Sequence, residues 1–581
     1  MKPYRIFLFL AFAIIVAVYL FLEFIPQKAD TIFVNANIRT MDAKTPSAQA
    51  MAVRGDRIVG IGTNDDVRRK FRSSSVVDLE KRTVFPGLID AHAHLLSLGL
   101  ARMTVDLLGA RTEEEAASRA KEKIANSAPG QWIRGRGWDQ NPWPGKKFPS
   151  HRSLDKFSKN NPIVFSRVDG HALWVNSRAM EMAGVTKDTK EPEGGKIIRD
   201  GRGYPTGVFV DNAKELITQV IPLLSESEAR EAVSIASQEC LGLGLTTVHD
   251  MGVDTFEIAL YKKMIDTGEL NLRIYAAIGG AGETWNEYKM SGPLVGYGRN
   301  HLTVRAMKLY VDGALGSRGA ALIEPYSDDP TNRGLTVTSE KEFQSLTDEA
   351  LAHGFQVCTH AIGDRGNHMA LDAYEKAMRV FKHSDLRLRV EHAQVLSPED
   401  IPRFRRLEVI PSMQPTHCTS DMYWAEARLG SKRVRGAYAW RSLRNTGVII
   451  PGGSDFPVEQ PNPILGIYAA CTRQDLQGKP RNASDAAQQF QLSPDGIADS
   501  TDFEGGWYVK ERMTRDEALS SFTTWAAFAG FEEAIKGSLS RGKLADFIIL
   551  SQDIGRVPNG ELPSTVVLET YVGGKRVYRK P

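Results

Sequence analysis

Two histidines one residue apart, His92-Ala93-His94, close an apolar run introduced by Pro86-Gly87. On an extended strand, residues i and i+2 project from the same face, so both imidazoles of such a pair can reach one metal ion. Alone the pair is weak evidence, because histidines on strands also serve as surface or core residues satisfied by hydrogen bonds. An apolar run ending in a ligand-type residue recurs, however, at His249-Asp250, Lys308, His360, His392 and Asp455. Imidazoles and a carboxylate suit a divalent cation, zinc first, with manganese, iron and cobalt also compatible. Water bound to such a cation is a nucleophile at neutral pH, so these residue types point to metal-assisted hydrolysis.

Those residues need a scaffold that brings strand ends together. The runs VFPGLIDAHAHL, LTTVHDMG, LRIYAAI, VRAMKLYVDGAL, FQVCTHAIGD, LRVEHAQV, VIPSMQP and GVIIPGGSDFPV alternate with amphipathic helical stretches, the pattern of parallel βαβ units. Eight such strands close a barrel whose C-terminal strand ends share one face. The expected fold class is α/β: a (β/α)8 TIM-like barrel with a flanking β-sandwich from both chain ends and an inserted subdomain after the first barrel strand. Hairpin-like segments turning at Gly55-Asp56 and Gly573-Gly574 place the sandwich at 28–83 and 537–581, with the barrel over 84–536. The interval of about 105–243 is too long for one crossover helix and is assigned to the insertion. A polar stretch over about 474–504 reads as a surface loop.

The chain has 581 residues, 42% hydrophobic and 25% charged, an ordinary globular composition. Its net charge of +3 comes without a Lys/Arg block, which argues against a nucleic-acid partner. Four dispersed cysteines fit structural thiols rather than a disulfide scaffold. Residues 1–27 carry an uncharged apolar run from Ile6 to Leu22, preceded by Lys2 and Arg5 and followed by no small-residue cleavage site. The expectation is a single-pass membrane anchor with an extracytoplasmic catalytic body, the alternative being a protein secreted after signal cleavage.

The motifs PGLIDAHAHL, MKLYVDGALGSRGAAL, THAIGDRG, EHAQ and GGSDFPV, with DGHALWVNS and TTVHDMG, together resemble the amidohydrolase superfamily. The closer resemblance is to its YtcJ-like, amidohydrolase-3 branch, which contains N-substituted formamide deformylases, and it runs from about Thr31 to Val577. That resemblance implies that His92 and His94 hold one zinc and that His360 and His392 hold a second. It further implies that Lys308 bridges both ions as a carbamate derived from carbon dioxide, and that Asp455 holds the first ion and shuttles a proton. Carboxylation explains why a lysine joins such a cluster: a free ammonium repels two cations, whereas a carbamate offers each an oxygen. His171, Trp174, His249 and Arg318 are candidate substrate contacts, each with an equal claim to a scaffold role.

The expected activity is hydrolysis of a non-peptide, amide-like carbon–nitrogen bond in a small molecule by a metal-bridged hydroxide. Ester, lactone or carbamate hydrolysis on the same residues is the enzymatic alternative. A noncatalytic, membrane-tethered binding protein is the alternative outside enzymes, since a fold alone does not establish activity. Homo-oligomerisation is compatible with the sequence and not required by it.

Overall fold

The computed structural model describes residues 26–140, 143–167, 172–192, 195–382, 384–490 and 499–581. Its contacts divide into two units, one comprising the chain ends with Ala236 onward and the other Leu96–Ile235.

In the first unit, parallel strands follow one another in chain order: β1 (Leu88–Ala93), β2 (Leu245–Val253), β3 (Arg273–Gly279), β4 (Leu302–Tyr310), β5 (Gln356–Ala361), β6 (Arg389–His392) and β7 (Ile410–Ser412). Nearly every residue of β2 is buried, on both faces. That is the signature of a parallel strand covered by helices outside and side chains inside. The eighth expected strand closes the barrel as an irregular segment. Met413 N donates to Pro451 O at 3.0 Å, Ala91 N to Gly452 O at 2.9 Å and Asp455 N to His92 O at 2.7 Å. A regular ladder cannot continue there because Asp455 has φ 59°, in the left-handed region. The barrel expected from the sequence is therefore present, with seven ladder strands and one bent closing segment.

The flanking sandwich has a four-stranded and a six-stranded sheet. In the larger, Phe547–Leu550 and Val567–Val572 from the C-terminal end pair beside Thr83–Pro86 from the N-terminal end. Their inner faces meet in an aromatic cluster, with Phe547 and Tyr571 stacked at 4.3 Å and Phe33 edge-on to both. The sandwich is tied to the barrel by one fully buried ion pair. Arg273, at the start of β3, donates to both oxygens of Asp546 at 2.7 and 2.9 Å and to the carbonyls of Arg299 and Asn300. Gly573 N donates to the same carboxylate at 2.7 Å.

The second unit is built on a six-stranded mixed sheet with its own core of Trp138, Trp143, Phe165 and Trp174. It corresponds to the expected insertion, displaced toward the N-terminus.

One expectation is overturned. Among the described residues no helix is long and apolar enough to cross a membrane, whereas a span of about 30 Å needs about 20 predominantly apolar residues in one helix. The longest described helices, Glu226–Gly242 and Asp364–Val380, each have 17 residues and carry several charges. The run from Ile6 to Leu22 lies outside the described residues, so the single-pass, extracytoplasmic placement is not supported.

Removing one partner of the Arg273–Asp546 pair leaves a buried charge unpaired. Arg273→Met should lower the urea denaturation midpoint by an amount equivalent to about 3–5 kcal/mol, and Arg273→Met with Asp546→Leu should recover much of it. A single variant as stable as the parent would show that the pair does not hold sandwich and barrel together.

Candidate metal centre

β1 delivers His92 and, one step beyond its end, His94. Asp455 on the closing segment meets both: His94 Nε2 lies 3.1 Å and His92 Nε2 3.6 Å from Asp455 Oδ1. The segment is placed by Asp90, two residues before His92 and fully buried. Its carboxyl group accepts from His92 N, Ser454 N and Ser454 Oγ. A side chain at Gly453 would come within 2.6 Å of His92 N, so glycine is required for the two segments to approach. Burial pushes Asp90 up to about 7.

The other expected residues converge on the same strand ends. Lys308, near the end of β4, places Nζ 3.2 Å from His92 Nε2. His392, the last residue of β6, has its ring 4.8 Å from that of His92 and 4.6 Å from that of His360 on β5. His360 Nε2 is buried without a hydrogen-bond partner and lies 3.7 Å from Asp312 Oδ1. His392 has φ 74° and Ala393 φ 41°, both left-handed, so the chain turns sharply where the imidazole is presented.

Tautomers follow from the surroundings. His92 Nδ1 faces Glu391 Oε2 at 2.7 Å and must donate to it, which leaves its Nε2 lone pair toward Lys308 and Asp455. His392 Nδ1 donates likewise to Gln414 Oε1 at 2.7 Å. Glu391 is in turn bound at both oxygens by Arg389, at 2.7 and 3.0 Å, and all three of Arg389, Glu391 and His92 are buried. Although burial works to raise it, Arg389 and His92 hold the Glu391 carboxyl well below the usual range.

The electrostatics suit a cation. Burial, helped by Lys308, lowers His92 to about 4 and His360 to about 3, so both imidazoles are neutral at pH 7. Burial opposes ionisation of Asp455, but the hydrogen bond from His94 and the neighbouring imidazoles keep it well below the usual carboxylate range. Burial also lowers Lys308. Neutral imidazoles and an ionised carboxylate are the states in which these groups ligate a metal. Among the described residues two groups, His92–His94–Asp455 and His392–His417–Asp455, each have their ligand-type atoms within 4.8 Å of one another. With the unpartnered nitrogen of His360, the strand-end imidazoles and Asp455 form a donor set that fits divalent ions.

Of the four expected substrate contacts, His249, Arg318 and Trp174 lie among the described residues. His249 on β2 is fully buried, with Nδ1 2.9 Å from Arg389 Nη1 and its ring against Tyr275. Arg318 pairs with Asp328 at 3.0 and 2.9 Å. Trp174 is fully buried among the aromatic rings of the second unit. His171 lies outside the described residues. Sequence reasoning missed Asp90, Arg389, Glu391, Gln414 and His417. Arg389 and Glu391 had a signal, since alternation along Arg-Val-Glu-His sets both on one strand face. His417 stands on a helix beyond β7 and had none.

The chain matches the model of the amidohydrolase family over residues 75–578. It is 35% identical to Protein LONG AFTER FAR-RED 3 of Arabidopsis thaliana, across 95% of this chain and 92% of that one. Identity is 30% to YtcJ of Bacillus subtilis, covering 94% and 98% of the two chains. Against the N-substituted formamide deformylase of Arthrobacter pascens it is 29%, covering 95% and 99%. The crystal structure of an uncharacterized metal-dependent hydrolase from Pyrococcus horikoshii superposes with a TM-score of 0.74 at 26% identity, covering 91% of this chain and 99% of that one. With a family match over most of its length and a strand-end cluster of metal-ligand type, the chain belongs to the amidohydrolase family, in its YtcJ-like branch, and is a hydrolase of carbon–nitrogen bonds.

Proposed function

We propose that the protein hydrolyses the carbon–nitrogen bond of small N-substituted carboxamides, formamides among them, with two divalent ions, zinc by preference. The observation that carries this reading is the convergence of His92, His94 and Asp455 with Lys308 and His392 at one set of strand ends. The name of the Arthrobacter pascens relative supports formamides as the first substrates to try. His92, His94 and Asp455 would hold one ion and His360 and His392 the other. When bound, such ions polarise a carbonyl and lower the pKa of water to near neutrality.

The chain's own groups do the rest. Asp455 is ionised, so it takes a proton as water adds to the carbonyl and returns it to the leaving nitrogen, which departs as a neutral amine. Glu391 and Gln414 hold His92 and His392 in the tautomers that leave their Nε2 lone pairs free. Lys308 is fully buried, and burial favours its neutral amine, the form that attacks carbon dioxide. Nitrogen and carbon form the new bond, one proton leaves, and the product is an anionic carbamate beside His92.

Three experiments test the reading. A panel of N-substituted formamides, acetamides and the matching esters should show turnover of amides; hydrolysis of the esters alone would replace the carbon–nitrogen assignment. His92→Ala and His360→Ala should each reduce bound metal from about two ions per chain to about one, read by elemental analysis on folded protein. Two retained ions in His360→Ala would remove His360 from the ligand set. Lys308→Ala should lose activity, and formate or acetate should restore part of it by supplying an anion in the gap, where neutral amides of similar size should not. A Lys308→Arg variant as active as the parent would refute the carbamate.

A further inference from the structure

One imidazole near Asp455 has no place in the ligand set just described. His417 is the third residue of the helix Pro415–Asp421, which follows β7 and has Pro415 in its first turn. Its ring lies nearly parallel to that of His392, with centroids 5.9 Å apart and an angle of 11°. His417 Nε2 is buried without a hydrogen-bond partner and stands 3.7 Å from Asp455 Oδ2. The other carboxylate oxygen, Oδ1, is the one that meets His94. Asp455 therefore presents one oxygen to the His92–His94 pair and turns the other toward His417.

A separation of 3.7 Å is too long for a hydrogen bond. With His92, His94, His360 and His392 assigned to the ions in the reading above, Nε2 of His417 is left without an ion to meet, and as Nε2–H it is attracted by the carboxylate oxygen it faces rather than repelled. A ring nitrogen that carries its proton cannot ligate a metal. It is a buried donor beside the proton-carrying carboxylate, and it is satisfied only when an acceptor enters the site. A carboxamide offers one strong acceptor near its scissile bond, the carbonyl oxygen, because the nitrogen lone pair is delocalised. Negative charge grows on that oxygen as the carbonyl carbon is attacked, so a donor fixed there favours the transition state over the substrate.

We infer that His417 contacts the substrate, donating a hydrogen bond from Nε2 to the carbonyl oxygen of the scissile amide. This rests on the carboxamide-hydrolase reading above and adds to it the group that meets the developing oxyanion. The rival role is metal ligation, since His392, His417 and Asp455 atoms lie within 4.8 Å of one another.

The test uses the full chain loaded with zinc, N-phenylformamide as substrate and methylphosphonate as a tetrahedral anion. His417→Phe keeps a flat ring against His392 without a donor, and His417→Gln keeps an N–H. Both should bind as much metal as the parent and show its thermal midpoint. In His417→Phe, kcat should fall about 100- to 1,000-fold with KM little changed, and methylphosphonate should bind at least about ten-fold more weakly by calorimetry. His417→Gln should regain part of both. Loss of metal from His417→Phe would make His417 a ligand and overturn the inference, as would unchanged kcat and methylphosphonate affinity, or an effect on KM alone. A parent that turns over no carboxamide would sink the functional reading itself. That outcome is distinct from an active parent whose His417→Phe variant is equally fast.

Discussion

The ion pair of Arg389 and Glu391, sealed beneath His92, is the contact on which the candidate centre depends. An isolated carboxylate in that position would take up a proton, because burial disfavours its charge. Arg389 prevents this with two hydrogen bonds to Glu391, and anchors itself on Ala91 O and Ser412 Oγ. An ionised Glu391 can only accept, so His92 must donate from Nδ1 and expose Nε2. One guanidinium thus sets the orientation of an imidazole it does not touch, and its hydrogen bonds to Ala91 and Ser412 bind β6 to β1 and β7. Such outer groups set ligand basicity as well as direction.

The strand ends are also strained, and the strain is matched by anchoring. His392, Ala393 and Asp455 occupy left-handed conformations, each costing about 1–3 kcal/mol for a residue with a side chain. Against this stand the Asp90 network around Ser454 and the bond from Asp455 N to His92 O. Regular strands would aim alternate side chains inward and outward along straight lines. Departure from regularity lets the last residue of β6 and the closing segment turn their side chains onto a common point.

Much of this architecture was legible in the sequence, for identifiable reasons. Apolar runs ending in His, Lys or Asp gave the barrel strands and six of the clustered residues, because a parallel strand is apolar throughout and carries polarity only at its functional end. The sandwich followed from paired hairpin signals at the two ends. The eighth strand was over-read, since nothing in GVIIPGGSDFPV announces that Asp455 breaks the ladder. Residues acting one step from the centre were missed where they depend on tertiary approach: Asp90 through Ser454, Gln414 through His392, and His417 through a helix with no periodic signal. For His249 and Trp174 the residue type does not reveal the packing partners, which the fold supplies.

The joining of Thr83–Pro86 with Phe547–Leu550 in one sheet has a bearing on how the chain reaches this state. During synthesis the N-terminal strands leave the ribosome long before their central partner exists, so the edge of Thr83–Pro86 waits unpaired while the barrel is still being made. Pairings this distant along the chain are slow to form, and an open apolar edge in the interim invites adhesion to other nascent chains. The last few dozen residues therefore act as a seal. A message truncated within them would release a chain holding every candidate ligand and still unable to shield the sheet on which its barrel rests.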